Sequence, residues 1–130
     1  MSRLITIQKR NNLNEIYRAD APGVGGASHH YKVVKSGAAI NQEGDTLDEH
    51  DVVAEIVFQH GPRKDEGSKQ GVLDVDLLEI VRDRLKAFNQ GEFATRENAL
   101  AITHIEEALL WLNKRVEDRA ERGVLGTTNK

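Results

Sequence analysis

The sequence predicts an α+β fold in which a small N-terminal antiparallel β-sheet precedes a C-terminal antiparallel helical hairpin. Three observations predict it: strand-like segments in the first sixty residues, a glycine-rich loop after them, and helical periodicity from residue 74 onward. The second helix is long for a chain of 130 residues, so we expect it to be used for oligomerisation. The prediction is one domain over residues 1–130, with the sheet part at 1–60, a loop at 61–73, the hairpin at 74–123 and a tail at 124–130.

The N-terminal half contains three strand candidates. Alternation favours strands at 4–9 and 29–34, and the short segment NEIYRAD lies between them, followed by a breaker at 22–26. The clearest candidate is VVAEIVFQ at 52–59, which carries β-branched residues on both faces. Because such a pattern is typical of a strand covered on both sides, we expect this strand in the centre of the sheet. Polar, turn-rich residues at 36–48 precede it.

Two helices follow the loop. Asp74 is the expected N-cap of the first helix, Thr95 caps the second, and Gly123 ends it. The break at Asn89–Gly91 is short, which favours an antiparallel hairpin. One apolar face of the first helix consists of Leu77, Leu78, Val81, Leu85 and Phe88. A narrow seam on the second helix, suited to packing against another helix, consists of Ile102, Ile105, Leu109, Leu112 and Val116.

Composition excludes several classes of function. The chain has no cysteine, so it has neither a disulfide framework nor a thiolate zinc site. It has no apolar run of about 18 residues and no secretory signal, so we expect a cytosolic protein. A net charge of −3 disfavours a broad nucleic-acid surface. The arginines are grouped, which suits a small anion in a pocket, although solvated helix faces explain the same grouping.

The motifs tested for catalysis fail on spacing. Gly23–Gly26 lacks the lysine and hydroxyl of a phosphate-binding loop. His29 and His30 are adjacent, so in a strand they point to opposite faces and cannot both bind one metal. Glu106 and Glu107 do not face a common point on a helix. We therefore expect a protein that is not an enzyme and that has no catalytic residue, metal or cofactor.

The remaining candidates suit binding. Phe88 ends the first helix, where its ring is either exposed or part of the core. Arg96 and Asn98 lie in the first turn of the second helix, where free N–H groups and the helix dipole favour an anion. Arg115 and Arg119 lie one turn apart and can contact a phosphate or a base. The alternative for these two arginines is ion pairing with Glu117, Asp118 or Glu121.

These groups lie at opposite ends of the second helix. Seventeen residues separate Asn98 from Arg115, which corresponds to about 25 Å at the helical rise. An antiparallel partner helix brings one end beside the other. We therefore expect a pocket between subunits, so that binding and oligomerisation go together.

Several segments resemble a known family. FATRENALAITHIEEALLWL and the ending RGVLGT, preceded by VAEIVFQHGPRKDEG and LLEIVRDRLKAFNQGEF, resemble the phage Thoeris anti-defence sponge proteins. The resemblance covers Val52–Thr127, and the N-terminal strands agree only in type. It implies a protein of the host bacterial cytoplasm that binds glycocyclic ADP-ribose signals without cleaving them. Members form dimers and hexamers, and some also bind cyclic di- or trinucleotides of CBASS signalling at separate sites.

The resemblance also implies roles for individual residues. Phe88 stacks on adenine, and Asn98 and Arg115 make polar contacts with the ligand, with Arg115 supplied by a neighbouring subunit. Arg63, in the HGPRK loop, matches a further basic position near the binding sites.

Two further positions match the motifs of the family, and a third departs from them. Thr95 and Arg96 match the family by motif. Leu125 departs from it, because the related motif RGVEGT has an acidic residue at this position. This departure bears on the binding of cyclic trinucleotides.

Two other functions remain open at this stage. One is a structural oligomeric phage protein, such as a virion or scaffold component, that binds no nucleotide. The other is a metal-independent hydrolase of the same signals, which needs a proton-transfer pair that the sequence does not reveal.

Overall fold

A computed structural model describes residues 2–8, 12–41 and 43–123. Four strands and two α-helices follow one another as β1 (Ser2–Arg3), β2 (Asn14–Arg18), β3 (His30–Lys35), β4 (Val52–Val57), α1 (Asp74–Phe88) and α2 (Arg96–Glu121). The predicted α+β class is confirmed. The predictions for the tail at 124–130 and for Leu125 lie outside the described residues.

The chain divides into two compact units. The sheet unit consists of the described residues up to His60 together with Lys69–Gly71. The hairpin unit consists of Gly61–Ser68 and the described residues from Val72 onward. All the residues that the sequence assigns to ligand binding belong to the hairpin unit.

The four strands form one antiparallel sheet in the order β1-β2-β3-β4. Strand β3 lies between β2 and β4, and its Val34 is the fully buried hydrophobic side chain among the described residues. The prediction that VVAEIVFQ is a central strand is wrong, because β4 is the last strand in this order. Its outward side chains Val53 and Val57 are exposed in the single chain. The apolar pattern on both faces of β4 therefore does not mean that strands of the described part of the chain lie on both sides of it.

The predicted strand at 4–9 is also wrong in its position. The strand lies before this segment, at Ser2–Arg3, and one hydrogen bond follows it, from the Leu4 N–H to the Ile16 carbonyl at 2.8 Å. Of the predicted strand, residues 4–8 are described and none of them is in a strand, and Lys9 lies outside the described residues. Ile5 and Ile7 are almost fully exposed, the latter at 99%. An alternating segment forms a strand only where one of its faces is covered, and among the described residues nothing covers these two side chains.

The first helix begins as predicted but is capped differently. Leu73 occupies the N-cap position and Asp74 is the first helical residue, so the prediction of Asp74 as N-cap is wrong by one residue. The Asp76 carboxylate accepts the Leu73 N–H at 2.8 Å, which satisfies a backbone donor at the helix start. Acidic residues in the first turn also interact favourably with the helix dipole.

The second helix matches its predicted ends. The Thr95 hydroxyl accepts the Asn98 N–H at 3.0 Å, so Thr95 is the N-cap as predicted. Gly123 follows the C-cap Arg122 with φ of +73°, the left-handed conformation that ends helices. The 26 residues of α2 exceed the 15 of α1. Because α1 ends and α2 begins at the same turn, about 16 Å of α2 extends beyond α1.

The predicted apolar seam of α2 is half-buried in the single chain, except for the more exposed Val116. Across the hairpin, the Arg82 side chain of α1 donates to Glu106 of α2 at 2.8 Å. Outside this seam, two large apolar side chains of α2 are mostly exposed, Leu110 at 71% and Trp111 at 64%. The seam is therefore partly covered within the hairpin. The helix also has exposed apolar side chains that the periodicity did not indicate.

Candidate functional site

The turn between the helices is held by side-chain hydrogen bonds. The side-chain amide oxygen of Asn89 (Oδ1) accepts the Thr95 N–H at 3.1 Å, which ties the end of α1 to the cap of α2. Inside the turn, the Gly91 N–H donates to Phe88 and the Ala94 N–H donates to Gly91, at 3.4 and 3.1 Å. The end of α1 and the start of α2 are thereby fixed relative to each other.

Phe88 ends α1 at this turn with its ring on the surface. The side chain is 44% exposed, so the core-packing interpretation does not account for it. The guanidinium carbon of Arg84 lies 5.5 Å from the centre of the Phe88 ring, a cation–π distance. An accessible aromatic ring of this kind can stack on a planar ligand.

Asn98 lies in the first turn of α2, as the sequence predicts. Its side-chain amide donates to the Phe93 carbonyl at 3.4 Å, and its backbone N–H donates to Thr95. Arg96 is the first residue of the helix and is exposed. The structure thus gathers Phe88, Thr95, Arg96 and Asn98 at one end of the hairpin.

Phe93 is an exposed aromatic residue in this turn that sequence reasoning missed. It has no periodic partner, since it lies between the two helices. The sequence did offer one indication that Phe93 is exposed. It lies in the short segment between Gly91 and Thr95, which has too few residues to bury an aromatic side chain.

The structure does not bring Arg115 and Arg119 to this end of the hairpin. Both lie near the other end of α2, where Arg115 is exposed and Arg119 is half-buried. The nearby carboxylate of Asp118 pairs with Arg122 at 3.4 Å. Among the described residues Arg115 forms no ion pair, so the interpretation as a neutralised helix face does not hold for it.

Arg63 lies in the loop at 61–68, which has a defined conformation at its base. His60 and Lys69 exchange backbone hydrogen bonds of 3.0 and 2.9 Å that close the loop. Within it, Asp65 donates to Pro62 and Ser68 donates to Asp65. The exposed Arg63 side chain is carried by this closed loop.

Arg82 has a structural role that separates it from the other arginines. Its guanidinium donates to Glu106 at 2.8 Å and to Glu79 at 3.3 Å. The hydrogen bond to Glu106, followed by the nearby negative charges, raises the pKa of Arg82 above its usual value. Arg82 and Arg84 are grouped in the sequence, but their side chains lie in two different environments.

An open groove of about 670 Å³ runs along the hairpin near the start of α1. Its walls are mostly apolar, and the Arg82–Glu106 pair lies at its edge. The lining residues are Val75, Glu79, Arg82, Glu106, Leu109, Leu110, Leu112, Asn113 and Val116. Apolar walls of this kind suit another helix better than a phosphate-bearing ligand.

The histidines of the sheet unit are arranged in a way the sequence did not reveal. The His29 and His60 rings stack with centres 4.1 Å apart, and His30 bonds to Glu55 at 2.6 Å. The two stacked residues are far apart in sequence, so spacing gave no signal. Within the described part of the chain, no three potential metal ligands of the His, Asp and Glu types gather around one point.

Neither helix in the described ranges has both the length and the apolar character needed to span a bilayer.

Comparisons with known proteins agree on the family. Residues 50–117 match the family model described as "Acb2/Tad1, hairpin domain", which covers β4, the loop and most of the hairpin. The chain is also 41% identical to Thoeris anti-defense 1 of Bacillus phage SBSphiJ7 over 116 residues, which is 80% of this chain and 81% of the relative. The matched region includes most of the residues that the sequence assigns to ligand binding. The chain therefore belongs to the Acb2/Tad1 hairpin family of phage anti-defence proteins, as its resemblance to the Thoeris anti-defence sponges indicated.

Proposed function

We propose that this protein is an anti-defence sponge that binds glycocyclic ADP-ribose signals and sequesters them without cleavage. The observation that carries the proposal is the exposed Phe88 ring, held beside the capped start of α2 where Asn98 lies. Membership of the family and the name of the 41% identical relative support the anti-defence role in this proposal.

The chemistry of these side chains matches the ligand. The signal contains a purine, two riboses and two phosphates, so it needs a stacking surface, a polar contact for the base edge and a cation. Phe88 supplies the ring, the Asn98 amide supplies donor and acceptor groups, and Arg115 supplies a guanidinium that no described carboxylate neutralises. Arg63, Arg96, Thr95 and Arg119 are further ligand-binding residues in this proposal.

The binding site is completed by a second copy of the chain. Asn98 and Arg115 are about 25 Å apart along α2, too far for one small ligand to contact both within one chain. An antiparallel partner places Arg115 of the neighbouring subunit near Asn98. The exposed Leu110 and Trp111 and the apolar groove of the hairpin are surfaces that such a partner can cover. The proposed assembly is a dimer that associates further into a hexamer.

Sequestration in the host bacterial cytoplasm requires affinity and stoichiometry rather than turnover. Each bound signal is withheld from the defence effector, and burial of the ligand between subunits slows its release.

The test is calorimetric titration with glycocyclic ADP-ribose, followed by heat denaturation of the complex and chromatography of the released small molecule. We expect saturable binding and recovery of the intact ligand. Phe88→Ala removes the stacking surface, which is worth about 1–3 kcal/mol for a base on an aromatic ring, so its affinity should fall about 5- to 150-fold. Arg115→Ala should weaken binding by a similar amount, because it removes a charge-assisted contact.

Two matched variants control for general effects. Phe93→Ala removes another exposed ring of the same turn, and Arg122→Ala removes a charge from the same end of α2, where Asp118 pairs with it. Both should bind like the unmodified protein. Equal losses of affinity in the test variants and the control variants would mean that binding does not depend on the proposed contacts.

Other outcomes identify the alternative functions. Recovery of cleavage products instead of ligand indicates a hydrolase. An oligomer without affinity for the signal is what a purely structural phage protein predicts. Cyclic di- and trinucleotides, titrated alone and then with the first ligand bound, test for the separate second site that the family resemblance implies.

A further inference from the structure

Two arginines of α1 that are neighbours in sequence have different partners. Arg82 is held by Glu79 and Glu106. The Arg84 guanidinium instead lies over the Phe88 ring at 5.5 Å, and among the described residues it has no carboxylate partner. The charge of Arg84 is therefore not used to hold the two helices together.

Helix geometry explains why Arg84 and Phe88 meet. Residues four apart lie on the same face of a helix, and aromatic side chains lean toward the helix start, which places the Phe88 ring above the turn that carries Arg84. A guanidinium covering one face of the ring restricts the rotation of the side chain. It also leaves the opposite face as the surface on which a planar group can stack.

We propose that Arg84 is a positioning residue for ligand binding, which holds the Phe88 ring so that its open face receives the purine. The inference rests on the proposed function, because it concerns how the same site is prepared before the ligand arrives. A ring that is already oriented loses less conformational freedom on binding, so the affinity is higher than for a freely rotating ring. Arg84 acts through Phe88 and makes no contact with the phosphates.

The first readout concerns the free protein. The side-chain protons of Arg84 should show the upfield NMR shift of groups that lie over an aromatic ring. This shift should disappear in Phe88→Leu, which keeps an apolar side chain but removes the ring. An unshifted Arg84 in the unmodified protein would overturn the inference whether or not the signal binds.

The second readout is the affinity for glycocyclic ADP-ribose. Arg84→Ala should raise the dissociation constant about two- to fivefold, the size expected for a solvent-exposed cation–π contact. Arg84→Lys should retain part of the affinity, since an ammonium group also interacts with the ring face. Lys86→Ala, which removes an equal charge from the last turn of α1, should bind like the unmodified protein.

Salt dependence separates positioning from direct contact with a phosphate. The affinity ratio of Arg84→Ala to the unmodified protein should be the same at low and high ionic strength, because the cation–π contact lies within the protein. A ratio that shrinks as salt rises would mean that Arg84 pairs with a phosphate, and the inference would be wrong.

The two proposals fail in distinguishable ways. An unmodified protein that does not bind the signal contradicts the proposed function. An unmodified protein that binds it while Arg84→Ala binds equally well contradicts the positioning role alone.

Discussion

At the scale of single residues, the Asp20 carboxylate organises the start of β3. Its two oxygens accept the His29 N–H, both at 3.1 Å, and one of them accepts the His30 N–H at 3.2 Å. Partial burial acts to raise the pKa of Asp20, but these backbone hydrogen bonds outweigh it and hold the pKa below its usual value. Because the folded-state pKa is lowered, the ionised carboxylate stabilises the fold above the unfolded-state pKa of about 3.9.

Asp20→Asn should therefore destabilise the protein at neutral pH. We expect a loss of about 1 kcal/mol in the free energy of unfolding, at the low end for charged hydrogen bonds because the group is partly exposed. The difference from the unmodified protein should shrink as pH falls below about 4, where the carboxyl becomes protonated in the unfolded state, and should be lost once the pH is also below the lowered folded-state pKa. Urea unfolding at a series of pH values checks this, and a pH-independent difference would contradict it.

Gly71 is a second residue with a large expected effect on stability, because its backbone position leaves no room for a Cβ atom. A Cβ at this position would overlap the carbonyl oxygen of Val57 and the backbone of Phe58 and Gln59. Main-chain atoms cannot move aside as a flexible side chain can, so we expect Gly71→Ala to lower the free energy of unfolding by about 2 kcal/mol or more.

The matched control for this substitution is Gly67→Ala, where an added Cβ meets nothing within 4 Å. It should leave the stability nearly unchanged. Thermal or urea unfolding of both variants makes the comparison, and equal stabilities of the two would show that the sheet unit adapts to the added atom.

At the scale of elements, the cap of α2 connects helix stability to the proposed binding site. Thr95 accepts the Asn98 N–H and donates its own N–H to Asn89, so it joins the turn to the helix. Thr95→Ala should lower the free energy of unfolding by about 1 kcal/mol, the usual contribution of an N-cap side chain. It should also weaken ligand binding, because the first turn that carries Arg96 and Asn98 frays.

Hydrogen exchange of the first turn of α2 and ligand titration measure these two effects. Thr103→Ala is the control, since Thr103 lies within α2 and its hydroxyl donates only to the Ala99 carbonyl. Alanine is the better helix former there, so stability should be maintained or rise. Unchanged exchange at the helix start in Thr95→Ala would contradict the role of the cap.

At the scale of the whole molecule, the single chain leaves large apolar side chains uncovered in both units. Ile7 in the sheet unit and Leu110 and Trp111 in the hairpin unit are mostly exposed, whereas Val34 is fully buried. Burial of such surface is worth about 25 cal/mol per Å², so association of copies recovers stability that one chain cannot reach. The proposed assembly is thus favoured by folding as well as by ligand binding.

Leu110→Glu should lower the mass of the assembly in sedimentation experiments, because it places a charge in the surface that a second copy covers in the proposed assembly. Ala87→Glu, which introduces the same charge at an exposed position of α1, should leave the mass unchanged. Trp111 is the sole tryptophan, so its emission also reports coverage and should shift to longer wavelength in the dissociated variant. A monomeric unmodified protein at all concentrations would contradict the proposed assembly.

Local features of the sequence determined most of the fold, since helix caps, turns and periodicity depend on neighbouring residues. Thr95, Gly123 and the short break after Phe88 predicted the hairpin, and the clustering of polar and aromatic residues at its end predicted the proposed binding site. The positions of the strands were less predictable. An alternating pattern shows which face of a segment is apolar, but it does not show which other segment packs on that face. For this reason β4 is an edge strand and residues 5–8 lie outside the sheet.

Only the tertiary structure decided which charged and aromatic side chains contact one another within the chain. Sequence spacing showed that Arg82, Arg84 and Arg115 were present, but not that Arg82 pairs with Glu106, that Arg84 covers Phe88, or that Arg115 has no described ion-pair partner. The same holds for the stacked His29 and His60, whose separation in sequence hides their contact. The sequence by itself determined the helices and the candidate residues, because those depend on local spacing. The partners of each side chain depend on segments brought together by folding, so they could be known only from the structure.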